Sequence, residues 1–376
     1  MTIPTFCPHR FCRYHHKAPT GERWYHIAGS YQTKAFGTVT RFRCLSCGGG
    51  FSEQTFRLDY FVKRPLSYDE ILSRITAGSG IRSIARRLSV SHQAILNRLT
   101  RLARQALAIH SELLEGLTLN ENLAADGFES FVDSQYEPDN THILVGSRSQ
   151  FLYAFDYAHL KRKGCMSEEQ RRERQRREEA MVHHRTSIPA SFSRIVETME
   201  ELLLKRVKGA TVLYTDEKRE YVWVMLKSVL LKEIRRRGLF THVRISSKAP
   251  RTLTNRLFPV NYMDRQIRKD NANHVRETVQ FSRSVCNCLE RTAVYQLQHN
   301  YRKPYRVDDT EQREWLHGEV AGIDRSLIEE SLRDIYEKRK FFTHLELKWS
   351  QILVWFRMVA NVGRFTGGYR PAYIWM

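Results

Sequence analysis

Long apolar runs are missing from this chain. The best one, Val222 to Leu231, is broken by Lys227 and is far too short for a bilayer, so no membrane span is expected. Met1-Thr2-Ile3-Pro4 leads to Cys7 without an apolar segment, so no secretory leader is expected either. Cysteine is scarce and odd in number. Four of the seven fall in two close pairs, which suits a reducing compartment and a bound metal better than a disulfide framework, and a cytoplasmic location follows. Internal repeats are absent, and acidic residues are outnumbered, 41 against 61 Lys and Arg.

What is present begins with that positive charge. The net charge is +20 and the isoelectric point is near 9.8. Residues 1–110 hold 17 Lys and Arg against 5 Asp and Glu, so 12 of the 20 excess charges sit there. Cationic side chains gain affinity for nucleic acid by releasing its counterions, so this region is expected to sit on phosphates. A hydrophobic fraction of 41% and an aromatic content of 11% indicate a folded protein, and 376 residues suffice for two or three domains.

Residues 1–60 read as short strands and turns around Cys7-x4-Cys12 and Cys44-x2-Cys47, the second pair followed by three glycines. Two knuckles separated by a long hairpin make a zinc ribbon, in which Cys7, Cys12, Cys44 and Cys47 bind Zn²⁺ tetrahedrally as thiolates. So small a module has little core, and the metal would supply much of its folding energy. His9, His15 and His16 are rival ligands.

Residues 61–118 read as helical. Ser67 and Glu70 form a capping box ahead of Ile71, Leu72 and Ile75, and Gly78 and Gly80 end that helix. Ile81, Ile84, Ala85 and Leu88 mark a second short helix. After the turn Ser89-Val90-Ser91, with Ser91 as cap, Ile95, Leu96 and Leu99 mark a third. Two short helices about a tight turn are a helix-turn-helix. Ser91, His92, Gln93, Asn97 and Arg98 would approach base edges, and Arg86, Arg87, Arg101 and Arg104 would hold phosphates.

From residue 119 to 304 the pattern predicts three strands, a helix, and then alternating strand and helix, an α/β domain with a mixed sheet flanked by helices. A charged insert, residues 161–186, reads as a solvated helix or a mobile segment. A single helix is expected to start near Asp264 and run towards Tyr295. Residues 305–376 read as a helical extension in which Trp349, Trp355 and Phe356 serve packing. Cys286 and Cys288 fall on a helix and are read as packing residues, Cys165 as a solvent thiol, and His274 and Arg276 as phosphate contacts or surface charges.

Three stretches place a lone carboxylate at a strand end or a helix start: Ala125-Asp126-Gly127, Tyr214-Thr215-Asp216 and Asn261-x2-Asp264. Carboxylates gathered in a cationic protein suit hard cations, Mg²⁺ or Mn²⁺, acting on a polyanion. Two ions roughly 4 Å apart can activate an attacking hydroxyl and stabilise the departing one. Glu217 alternates away from Asp216 on a strand, and Asp156 reads as a strand-end solvent residue.

The chain resembles bacterial insertion-sequence transposases of the type with a zinc ribbon, a helix-turn-helix and an RNase H-like catalytic domain, from Cys7 to about Pro304. Phe42-Arg43-Cys44-x2-Cys47-Gly48-x2-Phe51-Ser52, Ala125-Asp126-Gly127, Tyr214-Thr215-Asp216 with Tyr221, Asn261-x2-Asp264-x3-Arg268, His274 to Thr278 and Phe281-Ser282-Arg283 carry the resemblance. It implies metal-dependent cleavage at element ends and transfer of the 3′-hydroxyl into target double-stranded DNA. The implied assembly is a homodimer or larger, in a bacterial nucleoid, with no membrane and no small-molecule substrate. The family's third acid is usually Glu, so Glu277 rivals Asp264. On one helix the two would stand about 20 Å and roughly 220° apart and could not share a metal pair; Asn261 and Arg268 favour Asp264. A DNA-binding regulator with a non-catalytic assembly domain, and a structure-specific nuclease without strand joining, are the alternatives.

Overall fold

The structure is a computed structural model. It describes residues 4–180, 186–207, 209–246, 248–275, 278–306, 314–359 and 361. The N-terminal sheet joins β1 (Tyr25–Thr33), β2 (Gly37–Cys44) and β3 (Gly50–Ser52) in antiparallel order. Trp24, Phe42, Phe51 and Phe56 fill its small core together with Cys7, Cys12 and Cys44, and Phe341 closes it from the far end of the chain.

Helices α1 (Tyr68–Thr76), α2 (Ile81–Arg87) and α3 (His92–Glu115) follow. Ser67 caps α1 as expected, accepting from the Glu70 amide at 3.1 Å. The reciprocal half of the capping box is not formed: the Glu70 carboxylate turns outward to Arg74, 2.8 Å away and one turn on, an ion pair that competes for it. Ser91 caps α3. Ser89 carries the turn at φ +51°, and Arg64 donates to its carbonyl at 2.9 Å. The third helix is not short. It has 24 residues, and its body, Leu99 to Leu113, is buried. Residues of these three helices and of the larger sheet belong to one hydrophobic core cluster.

The larger sheet contains β4 (Leu123–Phe131), β5 (Pro138–Gly146), β6 (Leu152–His159), β7 (Thr211–Thr215) and β8 (Phe240–Arg244) in the order β6-β5-β4-β7-β8. β4, β5 and β6 are antiparallel neighbours, and β7 and β8 run parallel to β4. This is the expected mixed sheet flanked by helices. The charged insert forms α4 (Glu168–Glu179), which buries no residue. α5 (Ile188–Leu204) covers one face of the sheet: Ser191 meets His142 of β5 and Arg194 pairs with Asp156 of β6. The run from Val222 to Ile234, which reads as one helix in the sequence, falls in two, α6 (Arg219–Lys227) and α7 (Val229–Arg236), because Ser228 ends the first and caps the second by accepting from the Leu231 amide.

The opposite face receives α8 (Phe258–Asp270), whose Arg268 guanidinium lies over Phe128 of β4, and then α9 (Val285–Tyr301) against β6 and α3. The single helix expected from Asp264 towards Tyr295 is thus two. Asn271, at the end of α8, is extended, and a turn at Ala272–His274 redirects the chain. Asp264 lies mid-helix, not at a helix start.

The C-terminal segment contains α10 (His317–Ala321), α11 (Arg325–Arg333) and α12 (Trp349–Trp355). It is a strap more than a separate extension. The Arg339 amide donates to the Phe56 carbonyl, Gln105 to the Lys338 carbonyl, Ser111 to the Glu346 carbonyl, and Arg357 pairs with buried Glu290 on α9. Trp355 and Phe356 are buried as expected, whereas Trp349 is exposed. Among the described residues no helix is long and apolar enough to cross a membrane.

Candidate functional sites

Backbone turns at both knuckles bring the four ribbon cysteines together, with all four sulfurs within 4.8 Å of one another. Cys7 Sγ lies 3.8 Å from Cys47 and Cys12 Sγ 3.7 Å from Cys44. Four sulfurs about 2.3 Å from one tetrahedral zinc would stand about 3.8 Å apart, so the spacing suits that ion. It is far too long for an S–S bond of about 2.05 Å. Cys7, Cys12 and Cys44 are buried and Cys47 is exposed. Burial pushes the Cys7 thiol up, so a cation is needed to hold it as thiolate. The rival histidines stand outside this set: His9 reaches the Gly50 carbonyl, and His15 reaches the Cys7 carbonyl and Thr343.

The aspartates converge for a reason legible in the register. Ala124 pairs with Tyr214 across β4 and β7, so two residues on Asp126 stands beside Asp216. Alternation puts Asp126 on the same face as Phe128, the face covered by α8, which carries Asp264. Lys218 Nζ lies 3.6 Å from Asp126 Oδ1 and 3.6 Å from Asp216 Oδ2. One further oxygen interaction of each carboxylate is local: Asp126 accepts from the Gly127 amide at 2.7 Å and Asp216 from the Lys218 amide at 3.1 Å. Asp264 accepts from Arg268 Nε at 2.7 Å, and Arg268 in turn donates to the Glu129 carbonyl on β4, which ties α8 to the sheet.

Burial lifts the Asp126 carboxyl to about 6; the Lys218 ammonium opposes that rise, while the charges of Asp216 and Asp264 add to it. Tyr221 is fully buried, stacked on Phe192 at 4.0 Å, with its hydroxyl 3.4 Å from Lys218 Nζ. His142, behind the site, is kept neutral because burial lowers it to about 3. The three carboxylates are more widely spaced than a ready-made cage. Among the described residues, only the four cysteines and the trio His15, His16 and His344 have ligand atoms all within 4.8 Å. Glu277, the rival third acid, lies outside the described residues, as does Arg276.

At the helix-turn-helix, Arg86, Arg87, Ser91, His92, Gln93 and Asn97 are exposed, and Gln93 donates to Asn97 one turn on. Arg98 is not on that surface. It is 7% exposed and donates to the Arg64 carbonyl, so it ties the linker to α3. Arg101 is half-buried, donates to the Leu58 carbonyl and lies 4.2 Å from the Tyr60 ring centroid; Arg104 donates to the Trp355 carbonyl. Both are bound up in holding neighbouring segments to α3, because a helix buried along its body needs polar anchors where the chain crosses it.

Other expectations separate cleanly. Asp156 is no solvent residue but a buried ion-pair partner of Arg194. His274 is 1% exposed, its ring nitrogens face Ser130 Oγ and Cys288 Sγ, and burial lowers it to about 3, which removes it from phosphate contact. Cys286 and Cys288 are buried packing residues, Cys165 is exposed, and Glu217 is exposed beside Asp216. Lys218 belongs to no motif in the sequence; its one local signal is the spacing Asp216-x-Lys218, which returns the side chain to the strand end. Neither the family models nor the curated proteins searched contain a match to this chain.

Proposed function

We propose that the chain is a metal-dependent DNA-cutting and strand-joining enzyme of the transposase kind, with its acids on an RNase H-like sheet. The observation that carries this reading is the register of β4 and β7, which sets Asp126 beside Asp216 on the face that α8 and Asp264 cover. The strand order, with one antiparallel wing and one parallel wing about β4, agrees with it. Lys218 stands where a cation is electrostatically required, and Mg²⁺ or Mn²⁺ would take the place of its ammonium. Bound ions would supply a nucleophile and charge stabilisation at phosphorus. The chain's own residues hold the carboxylates: Gly127 and Lys218 amides on Asp126 and Asp216, and Arg268 on Asp264. The exposed side chains from Arg86 to Asn97 would receive duplex DNA, in a homodimer or larger assembly that spans two ends.

Lys218 also favours a second reading. The Lys218 ammonium already offsets part of the pair's charge, so the carboxylates could stand without a metal, and a DNA-binding regulator would keep them for structure. The experiment that decides uses duplexes from the sequences flanking the coding region, with Mg²⁺ or Mn²⁺. Asp126→Asn and Asp216→Asn should each lower cutting by at least about a thousandfold, since losing a metal-mediated interaction removes several kcal/mol from the transition state. DNA affinity should stay within about twofold. Cutting that survives both substitutions would sink the catalytic reading.

A further inference from the structure

We propose that His15, His16 and His344 form a second metal site, for a divalent ion of the zinc class, which fastens the C-terminal strap to the ribbon. Their ligand atoms all lie within 4.8 Å of one another, the one such group among the described residues besides the four cysteines. The three rings form a compact set, with centroids 4.7, 4.8 and 5.2 Å apart.

The hydrogen bonding of His15 singles out the atom that would bind. His15 Nδ1 lies 2.7 Å from the Cys7 carbonyl, which can only accept, so Nδ1 carries the proton. Nε2 is then left with its lone pair. That pattern, one ring nitrogen donating to a backbone carbonyl and the other free to coordinate, is how metal-bound imidazoles are oriented. The Thr343 hydroxyl, 2.6 Å from Nε2, now donates to that lone pair and would turn aside for an ion. His15 is buried, so its ring is fixed; His16 and His344 are exposed and can rotate. Imidazole nitrogens about 2.1 Å from a tetrahedral zinc stand about 3.4 Å apart, so closure asks for movements of about 1 Å from the two mobile rings. Three imidazoles leave the fourth position to water, and imidazole sets prefer zinc, copper or nickel to Mg²⁺.

Position gives the site its consequence. His15 and His344 are more than three hundred residues apart, and the strap that carries His344 continues through Glu346 and Trp355 onto α3 and through Arg357 onto α9. The same His15 contacts the backbone of Cys7, a residue of the ribbon's own thiolate set. An ion here would lock the ribbon to the element that crosses the helix-turn-helix and the large sheet. This inference does not depend on the catalytic reading above.

The test is metal content of the full-length protein, stripped of metal, reloaded with Zn²⁺ and dialysed, measured by mass spectrometry. Wild type should hold two zinc ions per chain, and His16→Ala and His344→Ala one each, with unchanged circular dichroism. Cys44→Ser should lose both ions, because unfolding of the ribbon takes His15 and His16 out of the second site. Cobalt substitution separates the two chemically: His344→Ala should keep the thiolate-to-cobalt absorption and lose only the imidazole component. One zinc in the wild type, or two in both histidine variants, would overturn the proposal. Limited proteolysis adds a readout independent of stoichiometry. The second equivalent of zinc should slow cleavage between residues 338 and 348 in wild type and leave His344→Ala unaffected; equal rates in both would also overturn it.

Discussion

In the ribbon, four sulfurs already stand 3.7 and 3.8 Å apart in pairs, at the spacing of a tetrahedral ion. In the large sheet, two carboxylates each stand 3.6 Å from one ammonium, and a third is held by an arginine. The ribbon's own apolar core is small, so an ion at the four sulfurs would supply much of its folding energy. The sheet is supported by a continuous core, and the cations of the chain itself bridge or hold its acids. The sulfurs stand at the spacing of one ion, whereas the carboxylates are already occupied by cationic side chains of the chain itself.

The largest effect that sharpens this contrast is metal removal. A chelator, or Cys44→Ser, should melt residues 4–60 as a unit, because zinc binding in small modules supplies roughly 10–16 kcal/mol of folding free energy. The core around α3 and the large sheet should survive, and proteolytic fragments mapped by mass would show cleavage confined to the ribbon. Fragments spread through residues 119–300 would erase the distinction between the two regions.

Next in size is the charge strain at the sheet. Folding raises Asp126 from the ordinary 3.8 to about 6, so the folded state binds that proton more tightly than the unfolded one. Its stabilising contribution is complete below pH 3.8 and is lost as pH rises through 6. Asp126→Asn should therefore stabilise the protein at pH 7.5 by about 1–2 kcal/mol, less than the full shift because the side chain is 29% exposed, and by little at pH 4. Thermal melts of both proteins across that range measure it. A variant that is less stable than wild type at pH 7.5 would mean the carboxylate is favourably paired and not strained.

Much of both sites was legible in the chain. The knuckle spacing named the four cysteines that the structure gathers, and the apolar runs ending in Asp126 and Asp216 named the pair that the β4–β7 register brings together. What stayed hidden was set by long-range partners. Lys218 lies two residues from Asp216, but only the register shows that it also meets Asp126. Asp156 reads as a strand-end solvent residue until Arg194 arrives from α5, and Arg98 reads as a DNA contact until the linker carbonyl of Arg64 takes it. Periodicity could not separate α6 from α7, since the break at Ser228 is made by one hydroxyl, nor foresee that α3 runs on into the core. His344 joins His15 and His16 through the strap, a contact without a local pattern.

Smaller effects test the exposed basic face against the buried arginines. Arg87→Ala should weaken duplex binding at all sequences and reduce the salt slope of the affinity by about 1. Arg98→Ala should leave that slope unchanged and lower stability by about 1–3 kcal/mol, because it strips a buried hydrogen bond from the Arg64 carbonyl. Fluorescence anisotropy at several salt concentrations, beside chemical denaturation, separates the two. Equal salt slopes for Arg87→Ala and wild type would place the phosphates elsewhere.

The central claim is that Asp126 and Asp216 accept divalent ions where Lys218 now lies. Titration of the zinc-loaded protein with Mn²⁺, followed by the paramagnetic resonance of the free ion, reads this directly. The account predicts uptake of up to two Mn²⁺ per chain in wild type and its loss in Asp126→Asn with Asp216→Asn. Equal uptake by wild type and the double variant, or none by either, would contradict it.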